Sequence, residues 1–397
     1  MRVEWSREKS PPDAAIDTAS AAALSQLMRG EIAARGPMSF ARFMERALYD
    51  PAHGYYTASP ARPTRQGDFL TAPELHPIFG RTLAVQVDEM WRRLNEPADF
   101  TLREYGAGSG ALFLAIVDGL VRIDSALAST IRYEPVDFAR QRALIQERMR
   151  AAGRADRLVP IARRNQPLTG VVLANEYLDA LPVHRIIQLK GELREIHVDW
   201  RDDQFVEVAG PLTDERLATW FDDAGVELAD SQHAEINLAM LDWVAQLAAR
   251  IEHGYVLIVD YGSGAKDLYD PARRPTGTIR AFAGQRVSSD VLSGPGTRDI
   301  TSHIDFDALE RRARACEFEV VGRRHSNEFL LAAGLDGTYA QSRAETDSDW
   351  DAALTLRSAV HRLLDPGALG GYLVSVLAKN VALDGPLIGF RELTKAR

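Results

Sequence analysis

The chain has 397 residues, of which 46% are hydrophobic and 26% charged, and a formal net charge of -9. That length supports a large core with insertions, and the acidic balance argues against a sequence-independent nucleic-acid binder, which carries a basic surplus. Cys316 is the single cysteine, which excludes an internal disulfide and a cysteine-cluster metal site.

No apolar run approaches the ~20 residues of a membrane span. The first residues lack the hydrophobic core of a secretory signal, and Glu4, Glu8, Asp13 and Asp17 match a basic transit peptide poorly. A cytoplasmic protein with no membrane insertion is therefore expected.

Residues 1–18 read as a flexible polar lead. Alanine-rich helical patterning covers residues 19–34 and stops at Gly36-Pro37, after which Ser39 is expected to cap a helix ending at Leu48. Residues 50–74 are rich in Gly, Pro, Tyr and Thr and read as a functional or mobile loop. A helix over 78–94 completes an expected helical cap, residues 19–96. After Pro97 short apolar runs alternate with helical segments, which predicts parallel α/β units. Strands are expected over 101–105, 130–134, 158–162, 170–175, 255–261, 318–323 and 372–378, with helices over 111–124, 137–152, 235–251 and 306–315. Residues 184–208 alternate like paired antiparallel strands, and 262–304 read as a long loop excursion. The predicted fold is α/β, a Rossmann-like core over 97–397 with an N-terminal helical cap and β or loop insertions at about 184–250 and 262–304.

The strongest local signal runs from Leu102 to Leu112, where a strand enters Gly106, Gly108 and Gly110 and helical patterning resumes at once. Such glycines turn the chain tightly and let a ligand approach the backbone. A dinucleotide fingerprint places its third glycine one residue later, to seat a pyrophosphate. Here Glu104 precedes the turn, which suits a ligand bearing an ammonium group and no phosphate, such as S-adenosylmethionine. Glu134 lies 28 residues after Gly106 and is read as an acid for both ribose hydroxyls, a solvated strand-end glutamate being the alternative.

The apolar run 171–174 delivers Asn175, Glu176 and Asp179 to the carboxyl edge of the sheet, where open α/β folds bind ligands. An amide and two carboxylates there can orient a nitrogen nucleophile and take up its proton, or simply cap a helix. Asp68, Thr71 and Glu74 cluster in the irregular segment 67–74, and Asp299, Thr301, His303 and Asp305 in 299–306, where Thr301 and Asp305 also suit helix capping. No metal-ligand spacing and no nucleophile elbow occurs, so neither a catalytic metal nor a hydrolase is expected.

In order, residues 36–56, GDFLTAPE (67–74), EYGAGSGAL (104–112), NEYLDALPVHR (175–185), VDYG (259–262), GTIRAF (277–282) and PGTRDITSHIDF (295–306) resemble the MidA family of methyltransferases. The resemblance implies a class I fold with S-adenosyl-L-methionine held by Asp68, Glu104, Gly106, Gly108, Gly110, Glu134 and Asn175. It also implies a protein arginine as substrate, of the respiratory complex I type, with Glu74, Glu176 and Asp179 as candidates for the guanidinium site. Ala107, Ala111 and Ala115 depart from the family's usual loop, as does the C-terminal segment 366–377. A small-molecule N- or O-methyltransferase on the same scaffold, with His184 or His303 as base, is the second reading, and an assembly chaperone without turnover is a third.

Overall fold

The computed structural model describes residues 18–58, 71–164, 166–283, 286–346 and 348–393. Its centre is a six-stranded sheet of β1 (Thr101–Tyr105), β2 (Arg132–Val136), β3 (Leu168–Asn175), β4 (Ile251–Asp260), β5 (Glu319–His325) and β6 (Leu373–Lys379), in the order β5-β6-β4-β3-β1-β2. β2, β1, β3 and β4 run parallel, and β6 is antiparallel to both its neighbours. β3 is apolar or small from Gly170 to Ala174 because that stretch is covered on both faces, so neither alternating set is polar there.

One face of the sheet packs Leu102, Val171, Leu173, Leu257 and Val376 against helices α1 (Ile78–Arg93) and α2 (Ala111–Arg122). Gly80 and Gly119 let these two helices approach closely, since a Cβ on either would lie 2.6 Å from an alanine Cβ of the other helix. The opposite face packs Val172, Ala174, Val256 and Ile258 against the helices Leu238–Arg250 and Phe306–Ala315.

Two divisions drawn from the sequence do not follow this packing. Helix α1, assigned to the cap, belongs to the core layer, and the helix Leu238–Arg250, assigned to an insertion, is the crossover that leads into β4. The first insertion is an antiparallel sheet of His184–Leu189, Glu192–Arg201, Gln204–Gly210 and His233–Ile236, joined at one edge by Met38–Ser39. The helices Thr18–Arg35 and Phe40–Tyr49 pack on this sheet and on residues 279–300, forming a core of their own around Met28, Phe43, Met44, Val198 and Ile300. Ser39 caps the second of them, its Oγ accepting from the Arg42 amide at 3.3 Å. The expected loop over 262–304 carries a small antiparallel sheet of Arg280–Ala283, Arg286–Ser288 and Asp299–Thr301.

The strand expected over 158–162 is a single bridge between Leu158 and Tyr133, because Pro160 has no N–H to continue the ladder. The helices Ser326–Ala332, Leu335–Glu345 and Trp350–Leu364, which connect β5 to β6, correspond to no sequence expectation. No helix among the described residues is long and apolar enough to cross a membrane.

Candidate functional site

The carboxyl ends of β1, β2, β3 and β4 open onto one crevice. At the end of β1 the chain passes through Gly106, Gly108 and Gly110, with φ of 65°, 53° and 72°. All three lie in the left-handed region that glycine adopts freely, and Gly110 leads directly into α2. A Cβ on Gly106 would stand 3.1 Å from Tyr177 Cδ2, so the loop and the segment after β3 are already in close approach.

Glu104 lies under this loop, buried, and accepts a 2.5 Å hydrogen bond from the Tyr133 hydroxyl. Burial raises its carboxyl to about pH 8 against the opposing effect of that bond, with the Asp137 charge adding to the rise. A neutral buried acid of this kind ionises when a cation is brought beside it.

Glu134 does not face the crevice. It sits on the opposite face of the sheet from Glu104 and Tyr133, in a buried ion pair with Arg103 at 2.9 Å. Arg103 is fully buried and also bonds the carbonyl of Gln166 at 2.8 Å. The acid at the crevice is Asp137, one residue past β2, whose Oδ2 accepts from the Gly108 amide at 2.9 Å. Burial raises its carboxyl, partly offset by bonds from the amides of Gly108 and Phe138. Sequence reasoning placed Asp137 at the start of a helix, and the available signal was an acid immediately between strand and helix patterning.

β3 delivers Asn175 and Glu176 as expected. Glu176 adopts φ 50°, a left-handed conformation uncommon for a glutamate, fixed by its amide bonding the Val259 carbonyl at 2.9 Å. Its Oε1 accepts from the Ala72 amide at 3.2 Å and the Asn175 amide nitrogen at 3.1 Å. Tyr372 also bonds this carboxyl. Burial raises Glu176 to about pH 7 in spite of those bonds, and the charge of Glu74 adds to the rise.

Asp179 is buried beside it, bonded by Tyr261, and its Oδ1 has no hydrogen-bond partner among the described residues, as is also true of Asn175 Oδ1. Asp260, at the end of β4 and fully buried, accepts from the amides of Leu178 and Asp179 at 2.9 and 3.3 Å. Burial holds Asp179 and Asp260 above the ordinary carboxylate range, with the charge of Glu176 adding to the rise of Asp179 and those of Asp179 and Glu176 to that of Asp260. Asp260, Tyr261 and Tyr372 were not singled out individually in the sequence, although VDYG was noted as a block.

Glu74 does not join Glu176 and Asp179 in contact. It stands on the glycine-loop side, hydrogen-bonded with Ser109 and near Arg148, in the wall of a cavity of about 330 Å³ that Arg81 and Asp118 also line. Asp68 lies outside the described residues. His184 is held by Glu195 at 2.8 Å in the antiparallel sheet, away from these groups. Asp305 caps its helix through the Ala308 amide at 2.9 Å. The Tyr49 hydroxyl donates to the Ala180 carbonyl at 2.8 Å, and its ring stacks on Tyr56 and tilts against Phe138, closing the crevice from the N-terminal side.

These features fit a ligand with a cationic amino group, a diol and a small electrophile. A loop without side chains admits its backbone, Glu104 and Asp137 lie within one crevice, and Asn175 and Asp179, beside Glu176, each keep a buried oxygen with no partner among the described residues.

The model of a family of S-adenosyl-L-methionine-dependent methyltransferases matches residues 82–323. The chain is 29% identical over 355 residues to the protein arginine methyltransferase NDUFAF7, mitochondrial, of Xenopus tropicalis, covering 81% of this chain and 77% of that protein. To the Homo sapiens protein of the same name it is 28% identical over 334 residues, with 77% and 72% covered. A crystal structure of a Burkholderia thailandensis protein bound to S-adenosyl-homocysteine superposes with a TM-score of 0.84 at 27% identity, covering 96% of this chain and 98% of that one. The cytoplasmic expectation is overturned by the NDUFAF7 relatives, which are named mitochondrial.

Proposed function

Because the chain belongs to the S-adenosyl-L-methionine-dependent methyltransferase family, as the MidA-type motifs implied, we propose that it methylates a protein arginine held on Glu176 and Asp179. The observation that carries this reading is the pair of carboxyls at the end of β3, one of them with a buried oxygen lacking a partner among the described residues. A guanidinium supplies five N–H donors in a planar fork that matches such a pair. The names of the curated relatives support the same substrate class. A small-molecule site would be more apolar and more closed, whereas here Glu176 and Asp179 stand together at the crevice with Asp260 buried behind them.

S-adenosylmethionine supplies an electrophilic methyl group on a sulfonium. Gly106, Gly108 and Gly110 would admit it against the backbone, Glu104 would ionise opposite its amino group, and Asp137 would accept its ribose hydroxyls. Glu176 and Asp179 would orient the arginine, and one of them would receive the proton that the nitrogen loses as the N–C bond forms, the S–C bond breaks and S-adenosyl-homocysteine leaves as the neutral thioether. Asp260 fixes the turn that carries Asp179 by accepting two of its amides, so it positions the site without touching substrate. Tyr261 and Tyr372 hold the carboxylates in place through their hydroxyls.

Two outcomes follow. Asp137→Ala is expected to weaken S-adenosylmethionine about 100-fold in a calorimetric titration, two charge-assisted bonds at ~1.5 kcal/mol each being lost. Glu134→Gln instead lowers the melting temperature by breaking the buried pair with Arg103, and leaves that affinity within a few-fold. The reverse pattern would restore Glu134 as the ribose acid.

The second concerns pH. Glu176 is raised to about 7, so the free enzyme holds it protonated below that value and binds a guanidinium poorly. kcat/KM for an arginine peptide should rise about tenfold per pH unit up to pH about 7 and level above it. A flat profile between pH 5 and 8 would remove Glu176 from the substrate site.

A further inference from the structure

Beyond the acid pair lies a second cavity, of about 510 Å³, lined by Tyr261, His303, Tyr372, Arg273, Arg274 and the chain from Pro366 to Gly371. Its floor is formed by Tyr261 and Tyr372, with ring centroids 5.3 Å apart. These are the two tyrosines that bond Asp179 and Glu176. The cavity therefore adjoins the acid pair through Tyr261 and Tyr372.

The rim has the opposite charge. Arg273 is ion-paired with Asp267 at 3.4 Å and Asp270 at 3.9 Å, and Asp267 also lines the cavity. Arg274 has no carboxylate partner among the described residues, and the carbonyl of the same residue is fixed by Gln232 Nε2 at 3.4 Å. His303 packs edge-on against Tyr261. Burial, with Arg274 and Arg280 nearby, lowers it to about pH 4, so its ring is neutral at working pH. The wall between floor and rim is thus aromatic and uncharged. A ligand spanning the cavity meets at one end the two tyrosines that bond the acid pair, and at the other an unneutralised guanidinium.

We infer that this cavity receives the substrate chain around the target arginine, and that the substrate carries an acidic side chain beside that arginine which pairs with Arg274. The volume holds a few side chains rather than a folded surface, so the acid lies within a residue or two of the arginine. A nucleic-acid occupant would bring repeated phosphates against a chain of net charge -9. The inference rests on the arginine reading above and adds the sequence context that the enzyme selects.

The test uses the full chain loaded with S-adenosyl-homocysteine and three fluorescent peptides, each with one arginine flanked by Glu, by Gln or by Lys. Anisotropy should give the Glu peptide a Kd about fivefold below the Gln peptide at low salt, about 1 kcal/mol for a rim charge pair, with the gap closing as salt is added. Arg274→Glu should invert the order in favour of the Lys peptide, with S-adenosyl-homocysteine affinity reporting that the variant is folded. Equal affinities, no binding of any peptide, or an order unchanged in the variant each overturn the inference. Methyl transfer from S-adenosylmethionine is read in parallel. A Glu preference with no methylated arginine leaves the groove standing and removes the arginine reading.

Discussion

Gly106→Val is expected to abolish S-adenosylmethionine binding, raising Kd by at least about 100-fold, while the protein still folds. The residue is exposed and has φ 65°, where a β-branched side chain is strained by roughly 1–2 kcal/mol. Its Cβ would approach Tyr177 at 3.1 Å. Relief requires the loop to shift, and that shift pulls on the Gly106 amide bond to the Val136 carbonyl at 3.1 Å and on the Gly108 amide bond to Asp137 at 2.9 Å. Both lie where the cofactor would rest. Gly153→Val is the control: its φ is 66° and nothing stands within 4 Å of the added Cβ, so backbone strain is the same and the crevice is untouched. Calorimetry on both variants separates the two effects. Normal binding by Gly106→Val would mean that the cofactor lies elsewhere.

Glu176→Gln is expected to lower kcat by about 100-fold or more, to change S-adenosylmethionine affinity by less than about threefold, and to stabilise the fold at pH 8. The amide keeps the shape and the bonds from Ala72 and Asn175 but cannot neutralise a guanidinium or take its proton. Stability moves the other way because the folded carboxyl titrates at about 7, above its ordinary 4.5. Below pH 4.5 the acid is protonated whether folded or not; between 4.5 and 7 the unfolded chain ionises first, and stability falls as pH rises. The neutral amide escapes that loss, worth about 2 kcal/mol after allowance for solvent in the crevice. For a chain of this size that is a rise of roughly 2–4 °C in Tm at pH 8, absent at pH 4. An unchanged kcat would remove Glu176 from the reaction. A lower Tm at pH 8 would show that its charge is compensated within the protein.

Local signals carried much of this architecture. The glycine turn was visible because three closely spaced glycines between a strand and a helix mark backbone that must turn left-handed. β3 was visible because burial on both faces leaves an unbroken apolar run. Which acid faces the crevice was not visible. Glu134 and Asp137 both stand near the end of β2, and strand alternation decides between them only once the register with Arg103 is known. The role of Asp260 was hidden for a similar reason: it acts on amides 82 and 81 residues away, a contact that only the parallel pairing of β3 and β4 creates. Boundaries of the cap and insertions also depended on long-range packing. Helix α1 has the polarity of any amphipathic helix, and its place against α2 is set by Gly80 and Gly119.

The most direct measurement of the central claim follows the transferred methyl group. The protein is incubated with methyl-tritiated S-adenosylmethionine and an undermethylated protein extract, and the acid hydrolysate is resolved by amino acid. Label in methylated arginine with the native chain, and none with Glu176→Gln, is the predicted result. Label confined to small molecules, or to any residue other than arginine, would contradict the account.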